Sequence, residues 1–299
     1  MKPNLMMFYS RRDMSVITEP ALVEHLVDRL VDRGFTNVAV VESQNVYGNW
    51  FENREVATVA RYAGYRPTNY RIVDLTEEAV EHRYSGTLDL HTVGKTWRDA
   101  DFRVSFAKNK THFSSHYTLT IKNVYGTMPE QDKFRAYHRD REVHHVTTEL
   151  LEEFPVHFGI VDGVWSADGL LGIKSDLKPE HTQTIIAGSN LVAVDIVGGR
   201  KMGLDPMKNL FVRRAVRRLG RPDIRVEGDE SVYENWDNVP PGVEHVLNYG
   251  EEWYGFSNLL GFLSSEMDPV FPMKPRYRVV FGLRRATLSL LKFVSRFER

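Results

Sequence analysis

From Glu19 to Arg33 the chain reads EPALVEHLVDRLVDR, and its apolar residues Leu22, Val23, Leu26, Val27, Leu30 and Val31 recur at the spacing that lines one face of a helix. Pro20 sits in the first turn, Thr18 is the expected N-cap, and Gly34 ends the run. Asn37–Glu42, NVAVVE, is then a short β-branched run of the kind that fills a buried parallel strand. The alternation repeats. Asn53–Tyr62 predicts a second helix closed by Gly64, while Tyr70–Leu75 and Asp99–Phe106 predict strands. Pro155 interrupts Leu150–Ile160, and Gly159–Val161 reads as a strand end running into the turn pair Asp162-Gly163. Gln183–Ala187 predicts a strand, Leu191–Met202 a helix with small residues on one side, and Asn209–Gly220 a basic helix.

Helix and strand in alternation predict an α/β fold, a mostly parallel sheet flanked by helices, over residues 1–220. Prolines then punctuate 221–275, which predicts a loop-rich region wrapping the body. In 276–299 an apolar stripe of Val279, Leu283, Ala286, Leu290, Phe293 and Phe297 runs beside Arg278, Arg285, Lys292 and Arg299. That predicts a terminal basic amphipathic helix. It packs on the body or a partner chain, or it lies on an anionic membrane surface as a peripheral contact.

One stretch breaks the apolar logic. Ala107–Pro129, AKNKTHFSSHYTLTIKNVYGTMP, sets Lys108, Lys110, His112, His116 and Lys122 among strand-like and helix-like apolar residues. Buried lysine neutralises a carboxylate or phosphate, or acts as base or Schiff-base former, and His112 can move a proton or bind a metal. The competing reading turns Lys108 and Lys110 outward on a strand and leaves His112 as a cap. Tyr117–Val124 is compatible with strand or helix; in either, His112 and His116 share a face, which keeps metal binding open. Gly126 permits close backbone approach. Glu42 and Ser43 follow a predicted strand, where α/β sheets place ligands, and Asp162 follows another. Asp195 lies inside an apolar helix and needs a partner, for which Lys110 and Lys122 are the candidates. Gly188-Ser189-Asn190 offers backbone N–H groups to an anion, or Asn190 simply caps the next helix. Lys2-Pro3-Asn4 is unremarkable alone, and His144-His145 reads as solvated.

Composition narrows the classes. The formal net charge of −1 argues against nucleic-acid binding by bulk electrostatics. The N-terminal residues lack the apolar core of a secretory signal and no apolar run approaches a membrane span, which makes cytoplasm the expected compartment. With no cysteine the chain supplies no cysteine-ligated iron–sulfur cluster, thiolate zinc site or thiol nucleophile.

In order along the chain come KPN at Lys2–Asn4, TEPALVEHLVDRLVDRG, VVES at Val40–Ser43, KNKTH at Lys108–His112 and TLTIKNVYG at Thr118–Gly126. VDG at Val161–Gly163, AGSNLVAVDIVG and GLDP at Gly203–Pro206 complete the series. This series resembles the DUF362 family, a domain of unknown function. The resemblance implies an α/β fold with a polar cleft built from these Lys, Asn, His and Asp positions, and no established reaction. Many members carry cysteine-rich ferredoxin-type segments that this chain lacks. Members usually have a strand before KPN, whereas this chain begins with it; either the native start lies upstream or that strand is absent, and if KPN sits at a strand end in the family, Lys2 and Asn4 are expected to fray here. The general layout is similar to that of nickel-dependent lactate racemase-type proteins, a likeness that assigns no chemistry. The expectation is therefore an enzyme acting on a small anionic molecule, or a non-catalytic cofactor- or metal-binding protein of unspecified cofactor and oligomeric state. Lys110, His112, Lys122 and Asp162 form the expected catalytic set. Lys2, Asn4, Glu42, Ser43, Asn123, Gly126, Asn190 and Asp195 are expected to hold the bound molecule.

Overall fold

A computed structural model describes residues 1–49, 51–112, 114–139, 142–169, 179–239 and 274–277, with scattered positions from Val279 to Ser289. The chain opens with strand β1 (Lys2–Pro3), helix α1 (Pro20–Val31) and strand β2 (Ala39–Glu42). A two-residue strand β3 (Phe51–Glu52), helix α2 (Val56–Ala63) and strand β4 (Arg71–Asp74) follow. An antiparallel hairpin of β5 (Ala79–Arg83) and β6 (Leu90–Gly94) leads through helix α3 (Lys95–Asp99) to the long strand β7 (Val104–His112). Then come β8 (His116–Thr118), α4 (Thr120–Val124), α5 (Val143–Glu153) and β9 (Phe158–Ala167). Strands β10 (Pro179–Glu180) and β11 (Thr184–Gly188) precede α6 (Leu191–Lys201) and α7 (Leu210–Leu219), and β12 (Lys274–Pro275) pairs antiparallel with β3.

The fold is α/β. The central strands are parallel: β1 pairs with β7 through Lys2 and Ser105, and β7 pairs with β9 from Val104 and Phe158 to Lys108 and Asp162. Strands β8, β10 and β11 add antiparallel edges. On the other side Val41 N donates to Met1 O at 2.8 Å, which sets the parallel pair β2–β4 beside β1. Side chains alternate across these strands with period two. Val40 and Ile160 join Val23, Val27, Val59 and Ala60 of α1 and α2 in one core, whereas Val41 and Val161 join Ile121, Leu150, Val194 and Phe211 of α4–α7 in the other. Helices thus cover both faces, as a parallel sheet requires.

Four local expectations give way. Asp99 ends a helix, so the strand expected from 99 begins at Val104 and runs on to His112. Tyr117–Val124 divides into strand and helix at Leu119. Asp162-Gly163 is no turn, because β9 continues to Ala167 with Gly163 opposite Thr184. Thr18 does not cap α1: its hydroxyl donates to Phe106 O at 2.7 Å and accepts from Asn4 N at 2.9 Å, tying the N-terminus to β7. Residues 221–239 contain neither helix nor strand. Lys201 Nζ holds this segment through Asp229 Oδ2 at 3.2 Å and Ser231 O at 2.9 Å. Residues 240–273 and most of the expected terminal helix lie outside the described residues, although Val279, Leu283, Arg285 and Ala286 are helical. No helix among the described residues is long and apolar enough to cross a membrane.

Candidate functional site

Strands β1, β2 and β7 end on the same edge of the sheet, and a cavity of about 250 Å³ opens there. Carboxyl ends of parallel strands are where such sheets bind ligands, because the chain leaves the hydrogen-bonded ladder and its polar groups become available. Lys2, Asn4, Glu42 and Ser43 reach the cavity from the first two strand ends, and Lys110 and His112 from the third. Lys122, Asn123 and Gly126 reach it from α4 and the turn beyond.

Lys2 is the best-held cation in this wall. At 1% exposure its ammonium donates to Glu42 Oε2 at 2.9 Å, Asn123 Oδ1 at 3.0 Å and Pro3 O at 2.7 Å, which uses all three protons. Asn123 returns the contact, giving its amide to Lys2 O at 2.7 Å and Ser105 Oγ at 3.0 Å. The expected fraying is overturned, because β-pairing and this ion pair fix the residue. Burial lowers the Lys2 pKa and Glu42 draws it back up. Gly126 makes room for the pair. A Cβ there would stand 2.7 Å from Lys2 Nζ and 3.0 Å from Glu42 Oε1. Ser43 Oγ donates to Gly126 O at 2.5 Å, and Asn4 Oδ1 accepts from Lys108 N at 2.7 Å.

The other lysines are held less well. Lys122 Nζ donates to Ser115 Oγ at 3.1 Å and lies 5.6 Å from the Phe211 ring centroid. Burial and the neighbouring Lys110 hold it well below the usual lysine range. Lys133 donates to the carbonyls of Gln44 at 2.5 Å and Glu130 at 2.9 Å, and burial brings it down to about 8. Lys110 is 4% exposed, and among the described residues no hydrogen bond or ion pair reaches its Nζ. Burial first, then the Lys2 and Lys108 charges, lower it to about 8 against the pull of Asp13 and Glu42. Among the described residues Glu42 is the sole acidic member of this wall, and Lys2 already engages it.

Three expected members stand elsewhere. Asp162 is fully buried in mid-strand, where Oδ2 accepts from Lys108 Nζ at 2.8 Å and from Glu19 N at 2.8 Å. It faces α1 because β9 runs past it, so it joins strand to helix and does not line the cavity. Asp195 pairs with neither Lys110 nor Lys122. Its carboxylate takes Thr120 N at 2.8 Å, Thr120 Oγ1 at 2.5 Å and Ile121 N at 3.1 Å, satisfying the first donors of α4. Burial pushes its pKa up to about 7 against those bonds. Asn190 is the N-cap of α6, accepting from Ala193 N at 3.0 Å. Neither outward lysine predicted by the competing reading is found: Lys108 and Lys110 are both buried.

His112 and His116 face each other across the β7–β8 hairpin, and only His112 lines the cavity. Among the described residues the three-ligand set close enough for a metal is Glu142, His144 and His145. Arg214 Nη2 approaches His145 Nδ1 at 3.2 Å there, a cation set against a cation site. Sequence reasoning missed Lys133 and Gln131, which line the cavity from just beyond Pro129. They lie in the charged run EQDK, whose composition resembles any solvated loop.

The geometry defines an α/β domain with a lysine-lined cavity at the carboxyl ends of its parallel strands. The model of DUF362, a domain of unknown function, matches residues 1–200, and the chain belongs to that family. No curated protein and no solved structure matches it.

Proposed function

We propose that this protein is an enzyme acting on a small anionic compound, carboxylate- or phosphate-bearing, bound in the lysine-lined cavity. One observation carries the reading: buried Lys110 and half-buried Lys122 and Lys133 surround a cavity whose one carboxylate among the described residues already serves Lys2. A buried cation without a counter-charge is costly. An incoming anion supplies that charge and draws the lysine pKa values back up, so binding is accompanied by proton uptake. Lys110, Lys122 and Lys133 meet the anion, Asn4 and Asn123 hold the wall, and His112 moves a proton. Asp162, Asp195 and Asn190 take no part. The reading takes cytoplasm as the compartment, which cell fractionation checks.

Thermal unfolding of the full chain with phosphate, acetate or pyruvate tests it. Stabilisation at pH 7 should weaken as pH rises through about 8, where Lys110 and Lys133 lose their protons. No stabilisation by any of the three, or equal stabilisation in Lys110→Ala/Lys122→Ala, rejects the site. His112→Ala should keep the binding and lose turnover; a carrier built on the same cavity would show binding with no turnover in either protein.

A second reading concerns the terminal segment. Val279 is 72% and Leu283 53% exposed on one helical stripe, and eight basic residues from Lys274 onward face Glu298 alone in sequence. Exposure favours docking on an anionic lipid surface over packing on the body. Co-sedimentation with phosphatidylserine vesicles should fall when residues 276–299 are removed; unchanged sedimentation rejects this reading.

A further inference from the structure

We propose that Lys110 is the nucleophile of this cavity and forms a Schiff base with a small 2-oxo acid, an inference that rests on the anion-site reading above and narrows its substrate class. The buried and half-buried lysines differ in how their ammonium groups are met. Lys2 has Glu42, Lys108 has Asp162, Lys122 has Ser115, Lys133 has two carbonyls, and Lys201 has Asp229 and the Ser231 carbonyl. Lys110, buried and lining the cavity, alone among them has no acceptor for its ammonium among the described residues. Desolvation beside other cations is the arrangement that keeps an amine partly neutral, and therefore nucleophilic, near physiological pH. Lys2 and Lys108 supply those cations, Asp13 and Glu42 oppose them, and the balance leaves Lys110 at about 8.

Size and charge select the partner. At roughly 30 Å³ per water-sized group, the cavity of about 250 Å³ holds about eight non-hydrogen atoms. A short 2-oxo acid fits that limit. Its carbonyl carbon meets Lys110, and its carboxylate meets the ammonium groups of Lys122 and Lys133.

The step balances without an oxidant. The Nζ lone pair forms the C–N bond while the carbonyl π pair moves to oxygen, which takes a proton and gives a carbinolamine. Nitrogen then loses a proton, oxygen gains one, and water leaves as the C=N bond forms, with the imine nitrogen protonated. His112 lies two residues along β7 on the same cavity wall. Ser114 N donates to its Nδ1 at 3.2 Å, which leaves the Nε2–H to hydrogen-bond the departing oxygen, while the proton that oxygen gains is the one nitrogen sheds. The iminium draws electrons from the adjoining C–H or C–C bond, which is the activation a 2-oxo acid requires.

Borohydride trapping tests this on the full chain. The protein is incubated with pyruvate or 2-oxobutanoate, reduced with sodium borohydride, and mapped by peptide mass spectrometry. Lys110 should gain the mass of the acid less one oxygen atom, and at least ten-fold more adduct should form there than at any exposed lysine. Lys110→Arg, which keeps the charge and cannot form the imine, should lose that adduct. Stabilisation by pyruvate with no Lys110 adduct overturns the Schiff base and leaves the anion site standing. Adducts confined to surface lysines, equal in Lys110→Arg, also overturn it. No adduct together with no stabilisation by any anion overturns both readings.

Discussion

Lys108 and Lys110 stand two residues apart on one strand, 1% and 4% exposed, and meet opposite circumstances. Lys108 is matched at 2.8 Å by Asp162, whose remaining lone pairs take Glu19 N and Val164 N. Lys110 has nothing comparable. The register shift between β7 and β9 falls between them, separating a residue that ties strand to helix from one that opens on the cavity. The difference teaches how to sort buried charge: a saturated ion pair belongs to the framework, and an unmatched one marks where a ligand belongs.

The largest effect that tests the contrast is loss of the framework pair. Asp162→Ala strands the Lys108 charge and should cost about 3–5 kcal/mol in urea unfolding. A loss below 1 kcal/mol would erase the distinction between the two lysines. Lys110→Met should act in the opposite direction. Holding Lys110 near 8 against an ordinary 10.5 corresponds to on the order of 3 kcal/mol of destabilisation. Between those values the unfolded chain binds more protons than the folded one, so wild-type stability rises with pH. The advantage of Lys110→Met should therefore be full below pH 8 and vanish by pH 10.5; a pH-independent difference would remove the charge argument.

Two smaller changes sharpen the comparison. Gly126→Ala pushes a methyl into the Lys2–Glu42 pair and should cost about 1–3 kcal/mol, with weakened anion stabilisation. Asn190→Ala removes only the α6 cap, worth about 1 kcal/mol, and should leave anion stabilisation unchanged. Loss of anion stabilisation in Asn190→Ala would mean that the site reaches further than the cavity wall.

Much of this architecture is written in hydrophobic spacing. The α1 stripe, the β-branched run ending at Glu42 and the Gly64 stop are local signals, and each produces the element it predicts. The polar set at Lys110, His112, Lys122 and Asn123 is legible for another reason: apolar neighbours carry these side chains inward, and enclosed polar groups have few places to go; Lys2 and Asn4 are legible only through the resemblance to the family. Partner choice was not legible. Asp195 in LVAVDIV announces a need for donors, and nothing in its neighbours says that backbone N–H groups of α4 would meet it instead of a lysine. Asp162 was misread because Asp-Gly is a turn pair by local preference, while pairing with β7 and β11 on both sides keeps it in a strand. Lys133 gives no signal, since its place in the wall depends on Gln44, 89 residues away.

That dependence on distant residues reaches to the ammonium of Lys2, which bonds Glu42 and Asn123, 40 and 121 residues further along. Contacts of such separation form only after the entropy of closing the intervening loops has been overcome. A ribosome-bound chain would carry its second residue through 121 further positions before meeting Asn123. The cavity consequently takes shape only once the N-terminus has met segments far along the chain, and a molecule bound within it reports that those long closures have been made.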